Sequence, residues 1–143
     1  AAAPSRVRVR QVLLLHWKGV GAKPSDTVRR KQVSRTPEEA EAKLLAILGG
    51  LVADGCSGFS GACKAASECQ SALKGGELAG DLGWIYREAS EEPQAGQARP
   101  GGPTAIRPVV PAPVRKAAFE LEVGELGDLV ASEIGVHLLL RTA

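Results

Sequence analysis

Residues 7–16, Val-Arg-Val-Arg-Gln-Val-Leu-Leu-Leu-His, leave a chain of this size little freedom of architecture. Side chains alternate along a strand, so Arg8 and Arg10 among β-branched neighbours read as its basic, frayed entry, and the apolar residues that follow occupy both faces. A strand buried on both faces is a central strand, and its sheet needs helices to cover it. The next strong signal supplies one. Thr36-Pro37-Glu38-Glu39 combines an N-cap hydroxyl, a proline at the first helical position and a glutamate three residues past the cap, so a helix begins at Pro37. Ala40, Leu44, Ile47, Leu48, Leu51 and Val52 then recur at helical spacing toward a stop near Asp54-Gly55.

Lys18 to Arg35 has no sustained period and reads as a Gly- and Lys/Arg-rich loop, long enough to be functional. A shorter helix puts Phe59, Ala62, Cys63 and Ala66 on one side, Ser67 to Gly83 is a polar loop, and Trp84 to Tyr86 is a short strand. Residues 88–113 hold six prolines and almost no large apolar side chain before Ile106, which marks an irregular surface insertion of about 88–112. Val114 to Leu121 reads as a two-turn helix started by Pro113, and Asp128 to Ser132 and Val136 to Arg141 as strands joined by a turn at Glu133-Ile134-Gly135. The expected fold is α+β: a tail of residues 1–6, then one domain over 7–143 with an antiparallel sheet and helices packed against it.

A chain of 143 residues supports one core, and 44% hydrophobic with 24% charged residues is ordinary globular usage. The longest strongly apolar run, Val12 to Leu15, is far too short for a membrane span, and no basic-then-apolar leader opens the sequence, so a soluble intracellular protein is expected, placed in the cytoplasm or nucleus and taken as a monomer. Cys56, Cys63 and Cys69 cannot all pair, the only histidines are His16 and His137, and no C-x-x-C occurs; reduced thiols, no metal and no cofactor follow. Charge is divided: residues 1–35 carry nine Lys/Arg against the single Asp26, a net of +8, and the remainder carries nine against fifteen, a net of −6. Such a basic third suits an anionic partner or a merely solvated loop, and five aromatic residues in all argue against base stacking on nucleic acid.

Six segments in chain order carry a resemblance. Val7 to Leu14 before a basic loop, Ser34-Arg35-Thr36 entering a Glu-Glu-Ala helix, Ser67-Glu68-Cys69-Gln70-Ser71-Ala72, Gly80-Asp81-Leu82-Gly83, Ala118-Phe119-Glu120-Leu121 and Gly135 to Thr142 resemble the parvulin family of peptidyl-prolyl cis-trans isomerases. Within it, the sequence is most similar to the eukaryotic branch directed to phosphorylated Ser/Thr-Pro bonds, without that branch's frequent WW domain. The resemblance implies a parvulin-like (FKBP-like) four-stranded antiparallel sheet surrounded by helices, rotation about X-Pro bonds in Pro-containing protein substrates, and a possible preference for an acidic or phosphorylated residue before proline. The alternative it allows is a catalytically weak Pro-peptide-binding or chaperone-like module of the same fold.

By the same resemblance, Cys69 stands at the active-site thiol beside the substrate carbonyl, His137 at the inner histidine of the last strand, and Ser132 at the hydroxyl residue of that group. Glu68 just before Cys69 disfavours a thiolate, so Cys69 takes a polar, electrostatic role and not a covalent one. Gln11 stands where the family usually has a second histidine; its amide still donates and accepts, but the tuning of His137 changes. Leu82, Val110 and Val114 fall at the proline-pocket positions. Leu15 replaces the family's lysine at the strand end, and Lys18, Lys23, Arg29 and Arg30, with Lys31, are the loop's own candidates for an acidic or phosphate group. His16 reads as structural or solvated.

Overall fold

The computed structural model describes residues 5–87 and 110–143. In chain order these form β1 (Arg6–Leu15), β2 (Ser25–Asp26), β3 (Lys31–Gln32), α1 (Pro37–Ala53), α2 (Phe59–Ala66), two 3-10 turns (Gln70–Leu73 and Gly76–Leu78), β4 (Asp81–Tyr86), α3 (Ala112–Glu120), β5 (Val130–Ala131) and β6 (Gly135–Arg141). Four strands make one antiparallel sheet in the order β4-β1-β6-β5, so β1 is central as its sequence demands; β2 and β3 pair separately.

The period of two along β1 sorts its side chains onto two buried faces. Val7, Val9, Leu13 and Leu15 join Ile85, Leu139 and the α3 residues Val114 and Ala118 on one face, and Val12 and Leu14 join Val136, Leu138, Ala40, Leu44, Phe59 and Cys63 on the other. The sheet is thus held between α3 on one side and α1 with α2 on the other. At about 2 kcal/mol for each fully buried large aliphatic or aromatic side chain, these two layers supply the main force holding the sheet in register.

The capping box forms as written in the sequence: Glu39 N–H donates to Thr36 Oγ1 at 3.1 Å, and Thr36 N–H donates to Glu39 Oε1 at 3.3 Å. The apolar stripe of α1 is narrower than its spacing predicts. Ala40, Leu44 and Leu51 are buried, whereas Val52, one residue and so about 100° round the helix from Leu51, is exposed. The segment expected as pure loop, Lys18 to Arg35, carries the β2–β3 pair, whose two-residue strands are too short for a periodic signal. Strand β4 begins at Asp81 and not at Trp84, and it slips register between Arg8↔Trp84 and Arg10↔Asp81. Helix α3 starts at Ala112 behind Pro111, with Pro113 inside its first turn, which trims the expected insertion; positions 88–109 of that insertion lie outside the described residues.

Two glycines hold the site-bearing strands close. Gly80, at φ +83°, accepts a hydrogen bond at its carbonyl from Gln11 N–H at 2.8 Å, and a Cβ there would lie 2.6 Å from the Gln11 carbonyl oxygen. Gly135, first residue of β6, would put a Cβ 2.2 Å from the Leu14 carbonyl oxygen. Only glycine permits both approaches.

Candidate active site

Adjacent strands bring Gln11 and His137 together. Leu13 pairs with His137 and Gln11 with Leu139, so Gln11 and His137 are diagonal neighbours on one face of the sheet. His137 is essentially buried and uses both ring nitrogens: Nδ1 lies 2.9 Å from Gln11 Oε1, and Nε2 lies 2.7 Å from Ser132 Oγ. An amide oxygen only accepts, so Nδ1 carries the proton and Nε2 accepts from the Ser132 hydroxyl. The turn between β5 and β6 fixes that hydroxyl through Ser132 N–H donating to Gly135 O at 2.9 Å. Burial first, and the neighbouring His16 second, push His137 down to about 4, so its imidazole is neutral at physiological pH.

The segment after α2 is laced to β1 and carries the thiol. Leu13 N–H donates to Ser67 Oγ at 3.1 Å, Glu68 N–H to Leu13 O at 2.7 Å, and Leu15 N–H to Glu68 Oε1 at 2.8 Å. Arg35 neutralises the same carboxylate oxygen and donates to Leu15 O at 3.0 Å. The acid beside Cys69 is therefore held at Oε1 by a guanidinium and a backbone N–H. Cys69 itself accepts a hydrogen bond from the Ser71 hydroxyl at 3.1 Å. Cys63 is buried on the opposite face, where burial pushes its thiol up to about 11 and keeps it protonated at physiological pH.

Gln11, Cys69 and His137 line one cavity of about 560 Å³, floored by Leu13 and Leu15 and closed by residues of 16–27 and of the β5–β6 turn. Ser132 reaches it through His137. Leu82 and Val114 belong to the apolar cluster that also holds Cys69, with Val110 packed against it; none of the three lines the cavity, and Val114, on α3, is fully buried in the core. Of the basic candidates, Lys18 lines the cavity. Arg29 turns instead to Asp26 at 2.9 Å and to the carbonyls of Ser67 and Lys64, each at 3.1 Å. Lys23 lies 5.1 Å over the Trp17 ring, and Arg30 is exposed at φ +56° in the turn between β2 and β3. His16 is buried in the cavity lining, and its Nδ1 has no partner among the described residues. Sequence reading passed over Trp17 and Ile134 in the wall, Ser71 on the thiol and the Arg35–Glu68 pair. Leu15 faces the site, as its place at the family's strand-end lysine implied.

No group of three or more metal-ligating side chains occurs among the described residues, and no helix of the described residues is long and apolar enough to cross a membrane. Comparison with known proteins agrees with the geometry. The profile of the rotamase family, PPIC-type PPIase domain, matches residues 23–143. The peptidyl-prolyl cis-trans isomerase NIMA-interacting 1 of Theileria annulata is 33% identical over 144 residues, covering 99% of this chain and 82% of that protein. ESS1 of Saccharomyces cerevisiae is 28% identical, covering 96% of this chain and 66% of its own length. Among solved structures, the peptidyl-prolyl isomerase ESS1 from Candida albicans superposes with a TM-score of 0.70 at 26% identity, covering 97% of this chain and 63% of that one. The PPIase domain of TbPar42 gives 0.63 at 25% identity, covering 96% and 99%. With a four-stranded antiparallel sheet between helices and a profile match over most of its length, the chain belongs to the PPIC-type, or parvulin, family of peptidyl-prolyl cis-trans isomerases.

Proposed function

We propose that this isomerase rotates X-Pro bonds in the cavity bounded by Cys69, His137 and Gln11, with Ser132 as the second partner of the imidazole. The observation that carries the assignment is the chain of short bonds Gln11–His137–Ser132 in one cavity with a buried thiol. Rotation about an X-Pro amide faces a barrier of about 18–20 kcal/mol from partial double-bond character of the C–N bond. No bond to carbon need form or break. The catalyst needs an apolar seat for the proline ring, exclusion of water from the amide, and polar groups suited to the twisted state in which resonance is lost. Leu13, which lines the cavity with Cys69, offers the seat, backed by Leu82, Val110 and the fully buried Val114 of the same apolar cluster. A neutral His137, oriented from both nitrogens, adds no charge of its own to the site, and the Cys69 thiol contributes a polarisable dipole near the carbonyl. The reading keeps the chain a monomer of the cytoplasm or nucleus acting on Pro-containing proteins.

The test is Cys69→Ala in an NMR exchange or protease-coupled assay on an Ala-Pro peptide. Turnover is expected to fall at least about tenfold, as for loss of a positioned polar group, with far-UV circular dichroism unchanged. Unaltered turnover would place the reaction elsewhere on the molecule.

A further inference from the structure

Beyond the thiol and the imidazole, the cavity runs under residues 17–27, and its wall there is built for grease and not for an anion. Leu15 forms its floor, Trp17, Val20 and Pro24 come from the segment after β1, and Ile134 comes from the β5–β6 turn. Val20 is 85% exposed and Ile134 is 44% exposed, so two large apolar side chains stand open to solvent at the mouth of a cavity already lined by apolar groups. The Trp17 ring is held for this purpose: its Nε1–H donates to Gly21 O at 3.2 Å, and Lys23 lies over its face.

The charges around this wall do not make an anion cradle. Lys18 shares the lining with two acids, Glu68 and Glu133. Glu68 is bonded to Arg35 and the Leu15 N–H, whereas Arg29, which could have served a phosphate, is bound by Asp26 and two backbone carbonyls. A dianion entering here would shed hydration beside the Glu133 carboxylate, with Lys18 in the lining and Lys23 over the Trp17 face, and no guanidinium, to offset it.

The carbonyl of an X-Pro bond belongs to residue X, and in the site proposed above it lies beside Cys69. The side chain of X leaves the neighbouring carbon and has this wall within reach. Resting on that site assignment, we propose that the wall formed by Leu15, Trp17, Val20, Pro24 and Ile134 reads the residue before proline, and that the enzyme selects a leucine-like side chain there over a carboxylate or a phosphate.

The experiment measures kcat/KM by NMR exchange on four otherwise identical peptides with Leu-Pro, Ala-Pro, Glu-Pro and phosphoSer-Pro at their centres, using the unaltered chain, Val20→Lys and Cys69→Ala. Leu-Pro is expected to exceed Glu-Pro and phosphoSer-Pro at least about tenfold, the range that a few methylenes in an apolar pocket command. Val20→Lys, at a position too exposed to disturb the fold, should move the Leu-Pro to Glu-Pro ratio about fivefold or more toward Glu-Pro. A phosphoSer-Pro or Glu-Pro rate equal to or above that of Leu-Pro overturns the inference, as does a ratio unmoved by Val20→Lys. The two readings fail separately: full activity of Cys69→Ala on every peptide removes the site itself, whereas a flat ranking with Cys69→Ala inactive removes only the selectivity.

Discussion

Acidifying the protein from pH 7.5 to 4.5 loads a proton onto residue 137 in the unfolded chain and not in the folded one. Burial in the sheet, helped by His16, moves the His137 pKa from an ordinary 6.5 down to about 4. Above pH 6.5 both states are neutral at this ring and the fold keeps its full stability; between 6.5 and about 4 the unfolded state binds the proton that the folded state refuses. Stability therefore falls as pH falls through that window. At about 1.4 kcal/mol per pKa unit, the full loss is roughly 3 kcal/mol, a large share of the 5–15 kcal/mol typical of a domain. Two carboxylates add their own acid sensitivity lower down. Burial raises Asp26 and Asp81, but hydrogen bonds from Arg29 and Arg8 outweigh it and leave both below the ordinary 3.8, so their losses come below the histidine window. Urea unfolding at pH 7.5, 6.5, 5.5 and 4.5, for the unaltered chain and for His137→Gln, isolates the effect as a difference of pH slopes. An NMR titration of the His137 ring gives the midpoint without any variant. A folded-state midpoint near 6.5, with parallel slopes in the two proteins, would refute the argument that burial governs this imidazole.

Other perturbations have equally definite outcomes. Arg35→Ala leaves the buried Glu68 carboxylate without its cation; about 2 kcal/mol of stability should be lost in urea titration, less than a fully buried pair would cost because the Arg35 side chain is 22% exposed. A loss below about 0.5 kcal/mol would show that the Leu15 N–H alone suffices for that carboxylate. Gly80→Ala forces a side chain into a φ of +83° and a Cβ against the Gln11 carbonyl, so a thermal melt should register at least about 2 kcal/mol of destabilisation, and normal stability would contradict the tight approach of that loop to β1. Gln11→His puts an imidazole of similar bulk opposite His137. Catalysis on an Ala-Pro peptide should rise or hold with the fold preserved, and collapse of the fold would contradict the placement of Gln11 over the cavity.

Local pattern made the elements of this protein legible before any coordinates. The alternation in Val7 to Leu15 marked a central strand with two covered faces, and Thr36 to Glu39 marked the start of α1 to the residue, because period and capping act over a few neighbours. The residues quoted for the family resemblance also named Cys69 and His137, which the sheet brings to one cavity. Long-range contacts were not legible in local pattern. Gln11 and His137 are 126 residues apart; only the family resemblance set them facing each other, and their hydrogen bond exists through the antiparallel register of β1 with β6. The count of nine basic residues before position 36 suggested an anion cradle, yet Arg29 and Arg35 are bound to Asp26 and Glu68, and the wall facing the site is Leu15, Trp17, Val20 and Ile134. Periodicity tells a side chain which face of its own element it occupies; which distant partner meets it there, and so whether a charge is available or already satisfied, is decided when the elements pack.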